Sequence, residues 1–322
     1  MRVAVLGGTR FIGRAITLEL SRAGHQVCVF HRGQSEPEEL SAVGHVHVDR
    51  SDIASVAAEL SDADAVVDTM ALSATDTEPV LEVLPRTAKL LVLSSMDVYQ
   101  AYGSLHAGIV TEMVPADEES PVRAERYPYR GQIPGMDDYE KLDVEELYLR
   151  RGAVVCRLPM VYGEHDGQRR EWFILRRVAA GRTRIPIGAG TWLSTRAYVG
   201  DIATGVRLAL ESPDTDDQVL NLGERRSPSV ALWARMILDA AGSDAELVTV
   251  PDDALPEDLG LTTAIAQHLV CDSTKARTML GWEETDPMEA LRRSVAWHLA
   301  NPPAGDDPGF DADDKALEAA GG

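Results

Sequence analysis

The feature that most constrains this chain is its opening. The apolar run Val3–Leu6 passes without a break into Gly7-Gly8-Thr9-Arg10-Phe11-Ile12-Gly13, and from there into a helical pattern reaching Ala23. Few sequences let a strand turn so abruptly into a helix. Gly7 supplies the backbone freedom the turn needs, small residues let main-chain amides approach a bound anion, and Gly13 lets the helix pack closely on the strand. A glycine pattern alone carries little weight. This one follows a strand, precedes a helix and is succeeded by a second strand, Gln26–Phe30, which is the context that gives such a pattern meaning. The ligand expected against Gly7, Thr9, Arg10, Phe11, Ile12 and Gly13 is the pyrophosphate of a dinucleotide.

The second strand ends in His31-Arg32, where NAD-preferring sites commonly place an acidic residue for the ribose 2′-hydroxyl. A carboxylate there repels a 2′-phosphate, whereas a guanidinium grips it with paired hydrogen bonds. Arg10 adds a second positive charge nearby. The cofactor favoured is NADP, with NAD left open because the acidic-residue rule is a tendency.

Further along, short apolar runs alternate with helical patterns. Strands are expected at Val46–Val48, Ala65–Asp68, Leu90–Ser94 and Ala153–Leu158, with helices over Ile53–Leu60 and from near Asp138. Runs such as VAVL, LLVL and AVVCRL suit strands buried on both faces, so the fold class is α/β, a Rossmann-type doubly wound parallel sheet. After Gly163 the rhythm changes. Helices are expected at Trp172–Ala180, Asp201–Glu211, Val230–Ala241 and Pro287–Leu299, a turn at residues 188–190, and a strand at Val219–Leu222. This pattern divides the chain into a dinucleotide-binding domain over 1–165, completed by elements near 200–222, and a smaller interleaved C-terminal substrate lobe over 166–300. Residues 301–322, rich in proline, glycine and aspartate, read as a flexible acidic tail.

With 31 basic residues against 52 acidic ones, the formal charge is −21, which repels phosphate backbones and anionic lipid. Neither a nucleic acid nor a membrane is an expected partner; a small-molecule substrate is. Cys28, Cys156 and Cys271 lack metal-site spacing and suit buried thiols of a reducing compartment. With no export signal at the start, a cytoplasmic location is expected.

Several segments, taken in order, resemble the extended short-chain dehydrogenase/reductase superfamily of NAD(P)-dependent epimerases and dehydratases. They are GGTRFIG (7–13), Asp49, SSMDVY (94–99), Lys141 with Glu145, RLPMVYG (157–163), YVGDIA (198–203), NLG (221–223) and DSTKARTMLGW (272–282). The resemblance covers most of residues 1–300 and implies further roles. Asp49 accepts from the adenine amino group, Arg50 and Ala71 border the cofactor, and Ser95 hydrogen-bonds the reacting oxygen. Lys141 holds the nicotinamide ribose and lowers the pKa of a nearby tyrosine. A homodimer through two sheet-flanking helices is the assembly the resemblance implies.

The chain departs from the superfamily in two places. The superfamily's tyrosine stands four residues before its lysine, but that position is Asp137, and Tyr139 lies only two before Lys141. On one regular helix such a pair is about 200° apart and cannot face a single ligand. The segment Asp137–Glu140 resembles a capping box, which puts Tyr139 in a helix's first turn. Three readings stay open: Tyr139 is the acid/base phenol, Tyr127 or Tyr129 supplies it, or the site binds nucleotide without chemistry. The second departure concerns the arginine that meets a sugar diphosphate in related enzymes. Its position is Ser194 here, with Arg196 two residues on, while Arg169, Arg170, Arg176, Arg177 and Arg182 crowd the same lobe. These arginines either clamp an anionic substrate or pair with Glu171 and its neighbours. The leading function is transient hydride transfer on a sugar nucleotide or related hydroxylated metabolite. The alternatives are NADPH-dependent reduction of a small carbonyl compound and a non-catalytic nucleotide-binding or RNA-associated role.

Overall fold

A computed structural model describes residues 1–305 and 308–320. Its strands are β1 (Arg2–Leu6), β2 (Gln26–His31), β3 (Gly44–His47), β4 (Ala65–Asp68), β5 (Lys89–Ser95), β6 (Val154–Leu158), β7 (Met160–Tyr162), β8 (Arg184–Ile187), β9 (Arg196–Tyr198), β10 (Val219–Asn221) and β11 (Glu246–Thr249). Seven of them form one sheet in the order β10-β6-β5-β4-β1-β2-β3, every neighbouring pair parallel. The order reverses between β1 and β4, the place where a doubly wound sheet opens a crevice beyond its carboxyl ends.

Alternation along β1 shows why both faces are covered. Val3 and Val5 join one core with Ile16 and Leu20, while Ala4 and Leu6 join the other with Val66, Val80 and Tyr148. The helices that cover these faces are α1 (Phe11–Arg22), α2 (Ala57–Leu60), α3 (Ala74–Val83), α4 (Gln100–Ala107), α5 (Lys141–Leu149), α6 (Trp172–Ala179), α7 (Val199–Glu211), α8 (Val230–Ala240), α9 (Thr274–Leu280), α10 (Pro287–Ala300) and α11 (Asp311–Ala319). Short parallel pairs β7–β9 and β8–β11 lie outside the main sheet.

Three expectations change. The run Ile53–Leu60 is a 3₁₀ segment, Arg50–Val56, followed by one α-turn, with Asp49 capping its start through the Ser51 amide. The acidic tail is not simply loose: α11 buries Ala316 and Leu317, and its Asp313 pairs with buried Arg177 at 2.7 Å. Residues 306, 307, 321 and 322 of that tail lie outside the described residues. Finally, α5 opens at Lys141 rather than near Asp138. Asp137 is occupied by the Gly131 amide at 2.8 Å, and Glu140 is the N-cap, its carboxylate accepting from the Leu142 amide at 3.0 Å. The expected capping box therefore does not form.

Candidate functional site

The glycine turn adopts the geometry its residues call for. Gly7 has φ +87°, and a Cβ on it would lie 2.2 Å from Met70 Cγ. Thr17, nearly two turns into α1, donates its hydroxyl to the carbonyls of Gly8 and Gly13 at 2.9 and 2.8 Å, locking the helix onto the turn. A Cβ on Gly13 would sit 2.3 Å from the Gly7 carbonyl oxygen. Gly13→Ala is accordingly expected to spread turn and helix apart and abolish dinucleotide binding, measured as quenching of tryptophan fluorescence by NADPH. The first-turn amides of α1 have no partners within the helix, and Phe11 and Ile12, which carry two of them, line the crevice.

Two hollows lie at the carboxyl ends of the strands. The first is walled by Gly7, Thr9 and Arg10 from the turn, by His31 and Arg32 from the end of β2, and by Asp49 and Arg50 beyond β3. Asp49 uses one carboxylate oxygen to hold Ser51, at 3.0 Å to its amide and 2.7 Å to its hydroxyl, and these bonds lower its pKa. Its other oxygen takes no hydrogen bond among the described residues. Arg50 lines the hollow but is fixed by a paired bond to Asp68 at 2.9 and 2.7 Å. That guanidinium serves the wall of the pocket, which leaves Arg32 and Arg10 as its exposed cations.

The second hollow is lined by Phe11 and Ile12, by Ser95 and Lys141, and by Asp166 and Arg170 from the segment between β7 and α6. Ala71 itself is fully buried beneath it, and its carbonyl accepts from Lys141 Nζ at 2.5 Å, with the Leu93 carbonyl accepting a second bond at 2.9 Å. Because Tyr139 precedes the helix rather than lying on it, helical spacing does not govern where its phenol points. Its ring stands 5.9 Å from Lys141 Nζ, and its hydroxyl donates to Asp97 Oδ2 at 2.7 Å. Tyr129 donates to the same oxygen at 3.2 Å, and Tyr102 meets Tyr129 hydroxyl to hydroxyl at 2.6 Å. Tyr127 lies apart from this cluster, its ring beneath Arg130 at 3.8 Å.

The electrostatics differ from the expected pattern. Burial and the neighbouring Asp97 carboxylate raise the Tyr139 pKa, opposed in part by the Ser95 hydroxyl. Lys141 does not reverse this, since burial lowers its own pKa and both its bonds run to carbonyls. Asp97 is pushed up by burial, while the Tyr139 bond, Arg123 and Lys141 pull the other way, and its Oδ1 is buried without a hydrogen bond. Sequence reasoning passed over Asp97, though an acid inside the otherwise apolar stretch Met96–Tyr99 was a usable signal. The hollow itself presents the Ser95 hydroxyl and Lys141, and the buried Tyr139 hydroxyl and Asp97 carboxyl stand behind Ser95, a set suited to moving a proton on and off a bound oxygen.

The five lobe arginines separate. Arg177 is bound by Asp313 and Asp258, Arg176 donates to Asp258 at 3.0 Å and to the Gly309 carbonyl at 2.7 Å, and Arg182 pairs with Asp314, so these three tie the C-terminal segment to α6 and the turn after it. Arg169 donates to the Asn301 carbonyl at 2.6 Å. Arg170 alone of the five lines the hollow with Ser95, held by one bond from Nε to the Val161 carbonyl at 2.9 Å. Arg196 is sealed in the interior with its guanidinium 4.1 Å above the Trp233 ring, out of reach of a ligand in either hollow.

Fold and site together define an α/β protein of the nucleotide-binding Rossmann type, with a crevice lined by hydroxyl, carboxyl and cationic side chains at the sheet's carboxyl end. The chain belongs to the NAD dependent epimerase/dehydratase family, whose sequence profile matches residues 3–223. Among relatives it is 28% identical to the chloroplast stem-loop binding protein of 41 kDa b of Arabidopsis thaliana, covering 91% of this chain and 78% of that one. It is 24% identical to UDP-glucuronic acid decarboxylase 1 of Xenopus tropicalis, over 89% of this chain and 69% of the relative. A solved dTDP-glucose 4,6-dehydratase from Bacillus anthracis in complex with NAD shares the fold at TM-score 0.70 and 17% identity, covering 94% and 97% of the two chains.

Proposed function

We propose that this protein oxidises a hydroxyl of a sugar nucleotide transiently, using bound NADP. Tyr139, Ser95 and Asp97 serve as the proton-handling set and Lys141 orients the cofactor's nicotinamide ribose. The observation that carries the reading is the bond from the Tyr139 hydroxyl to Asp97 beside Ser95. The nicotinamide, when bound, accepts and returns the hydride. A hydroxyl losing hydride must also lose its proton, and a buried phenol whose pKa is raised is a poor base on its own. With Asp97 as the acceptor, Tyr139 takes the substrate proton on its oxygen while passing its own to the carboxylate, so no free phenolate forms. Ser95 steadies the oxygen as it becomes a carbonyl, and Arg170 offers the substrate an anion contact.

Turn amides hold the pyrophosphate, Asp49 the adenine, and Arg32 with Arg10 the 2′-phosphate. The deciding experiment denatures freshly purified protein and identifies the released nucleotide by mass spectrometry. Near-stoichiometric NADP(H) is expected, because a cofactor that is regenerated in each cycle need not leave. An empty protein that binds NADPH reversibly would turn the reading toward a reductase. Arg32→Glu is expected to move preference toward NAD by about tenfold or more, as one charge-assisted pair is replaced by repulsion; equal NADPH affinity in that variant would remove Arg32 from the site.

One observation favours a second reading, in which the protein binds RNA: the relative named for stem-loop binding. The formal charge of −21 opposes it, and a salt titration of binding to a hairpin RNA separates the two.

A further inference from the structure

The edge of the sheet carries a group of side chains for which the proposed chemistry has no use. In β3, His45 and His47 are two residues apart and so share one face, and the register sets His47 opposite His31 and His45 opposite Val29 of β2. Three imidazoles are thereby gathered at one end of the sheet's last strand pair, and the loop after β2 brings Glu36 over them. His31 Nε2 lies 2.9 Å from His45 Nδ1 and 3.8 Å from Glu36 Oε1, and the three ligand atoms all fall within 4.8 Å of one another.

We infer that His31, His45 and Glu36 form a site for a borderline transition-metal dication of the Zn²⁺ class. Ligand atoms about 2.0–2.1 Å from a tetrahedral zinc stand about 3.3 Å from each other, a value that the two measured separations bracket. Two imidazoles and one carboxylate are a zinc-type donor set that leaves a fourth position open. The supporting shell is present as well. His45 Nε2 is bonded to the Leu40 carbonyl at 3.0 Å, which fixes its tautomer and leaves Nδ1 as a lone pair aimed at the cluster. His47 Nε2 bonds Glu36 Oε1 and orients that carboxylate. His31 needs one rearrangement, because its Nδ1 accepts from the Gly33 amide at 3.1 Å while its Nε2 donates to His45. Coordination through Nε2 moves the proton to Nδ1 and releases that amide, so binding displaces the 33–36 loop that carries Glu36. One neutral hydrogen bond is a small loss beside metal–imidazole coordination.

The site lies beside the hollow lined by His31 and Arg32, yet its existence does not depend on the proposed function. The test uses full-length protein without a polyhistidine tag, stripped by chelator and titrated with ZnCl₂ by calorimetry, and with CoCl₂ by visible absorption. One equivalent of Zn²⁺ is expected to bind, with a tetrahedral Co²⁺ spectrum, and His45→Ala and Glu36→Gln are each expected to weaken binding by about tenfold or more. Glu36 is about half exposed, so Glu36→Gln folds whether or not His45→Ala does. Absence of binding, or binding of unchanged strength in Glu36→Gln, would overturn the assignment.

Discussion

Asp97→Asn is expected to lower turnover by about two to four orders of magnitude, the range for removing a positioned acid/base group, while leaving NADPH affinity unchanged. The measurement is reduction of bound cofactor by a panel of nucleotide hexoses, followed by absorbance of the reduced nicotinamide. The amide is nearly isosteric and still accepts from the Tyr139 and Tyr129 hydroxyls, which reach Asp97 Oδ2 at 2.7 and 3.2 Å, so geometry survives while proton capacity does not. Tyr139→Phe removes the other half of the same relay. Since the two act as a unit, the double variant should be little slower than either single one. The pH profile adds a readout that a packing defect would not reproduce. Burial raises the Asp97 pKa, so the oxidative half-reaction of the wild type should climb as that carboxyl ionises, and the Asn variant should lack this limb. A rate retained in Asp97→Asn and lost only in Lys141→Ala would return the phenol's activation to the ammonium.

Asp97 also shows where sequence reasoning was strong and where it stopped. The strand–turn–helix opening was legible because Gly7 and Gly13 are demanded by backbone sterics that leave a mark in the sequence. The parallel sheet was legible because its strands are buried on both faces and read as unbroken apolar runs. The position of Tyr139 was not legible, because it depends on where α5 begins. Two acids compete to cap that helix, and the choice of Glu140 over Asp137 is made by Arg123, distant in sequence and close only in the fold. The C-terminal helix was missed for a similar reason. Its aspartates look solvent-seeking until Arg177 and Arg182 are placed opposite them.

The choice of cap leads to the second large effect: Arg123→Met is expected to destabilise the fold by about 3–5 kcal/mol, the usual consequence of stranding one partner of a buried ion pair. Arg123 grips Glu140 at 2.9 and 2.6 Å, and neither side chain is more than marginally exposed. Glu140 also accepts from the Tyr127 and Leu142 amides, so it joins the loop before the helix to the helix itself. Without Arg123 a buried carboxylate remains, the N-cap loosens, and Tyr139 and Lys141 on either side of it lose their placement. Thermal unfolding should fall by on the order of 10 °C, and Arg123→Met combined with Glu140→Gln should recover part of the loss, since no charge is then left buried. The pH dependence identifies the cause. Burial pushes the Glu140 pKa up, but the bonds from Arg123 and from the Tyr127 and Leu142 amides outweigh it and hold the pKa below its ordinary value. A depressed folded-state pKa contributes stability that is present above the unfolded value and is lost as pH falls through the folded one. In Arg123→Met the largest bond holding that pKa down is gone and burial favours the protonated acid, so the gap in stability from wild type should be widest near neutrality and narrow on acidification. A gap independent of pH would mean that Arg123 acts through packing and its carbonyl contacts, and that the charge of Glu140 is incidental.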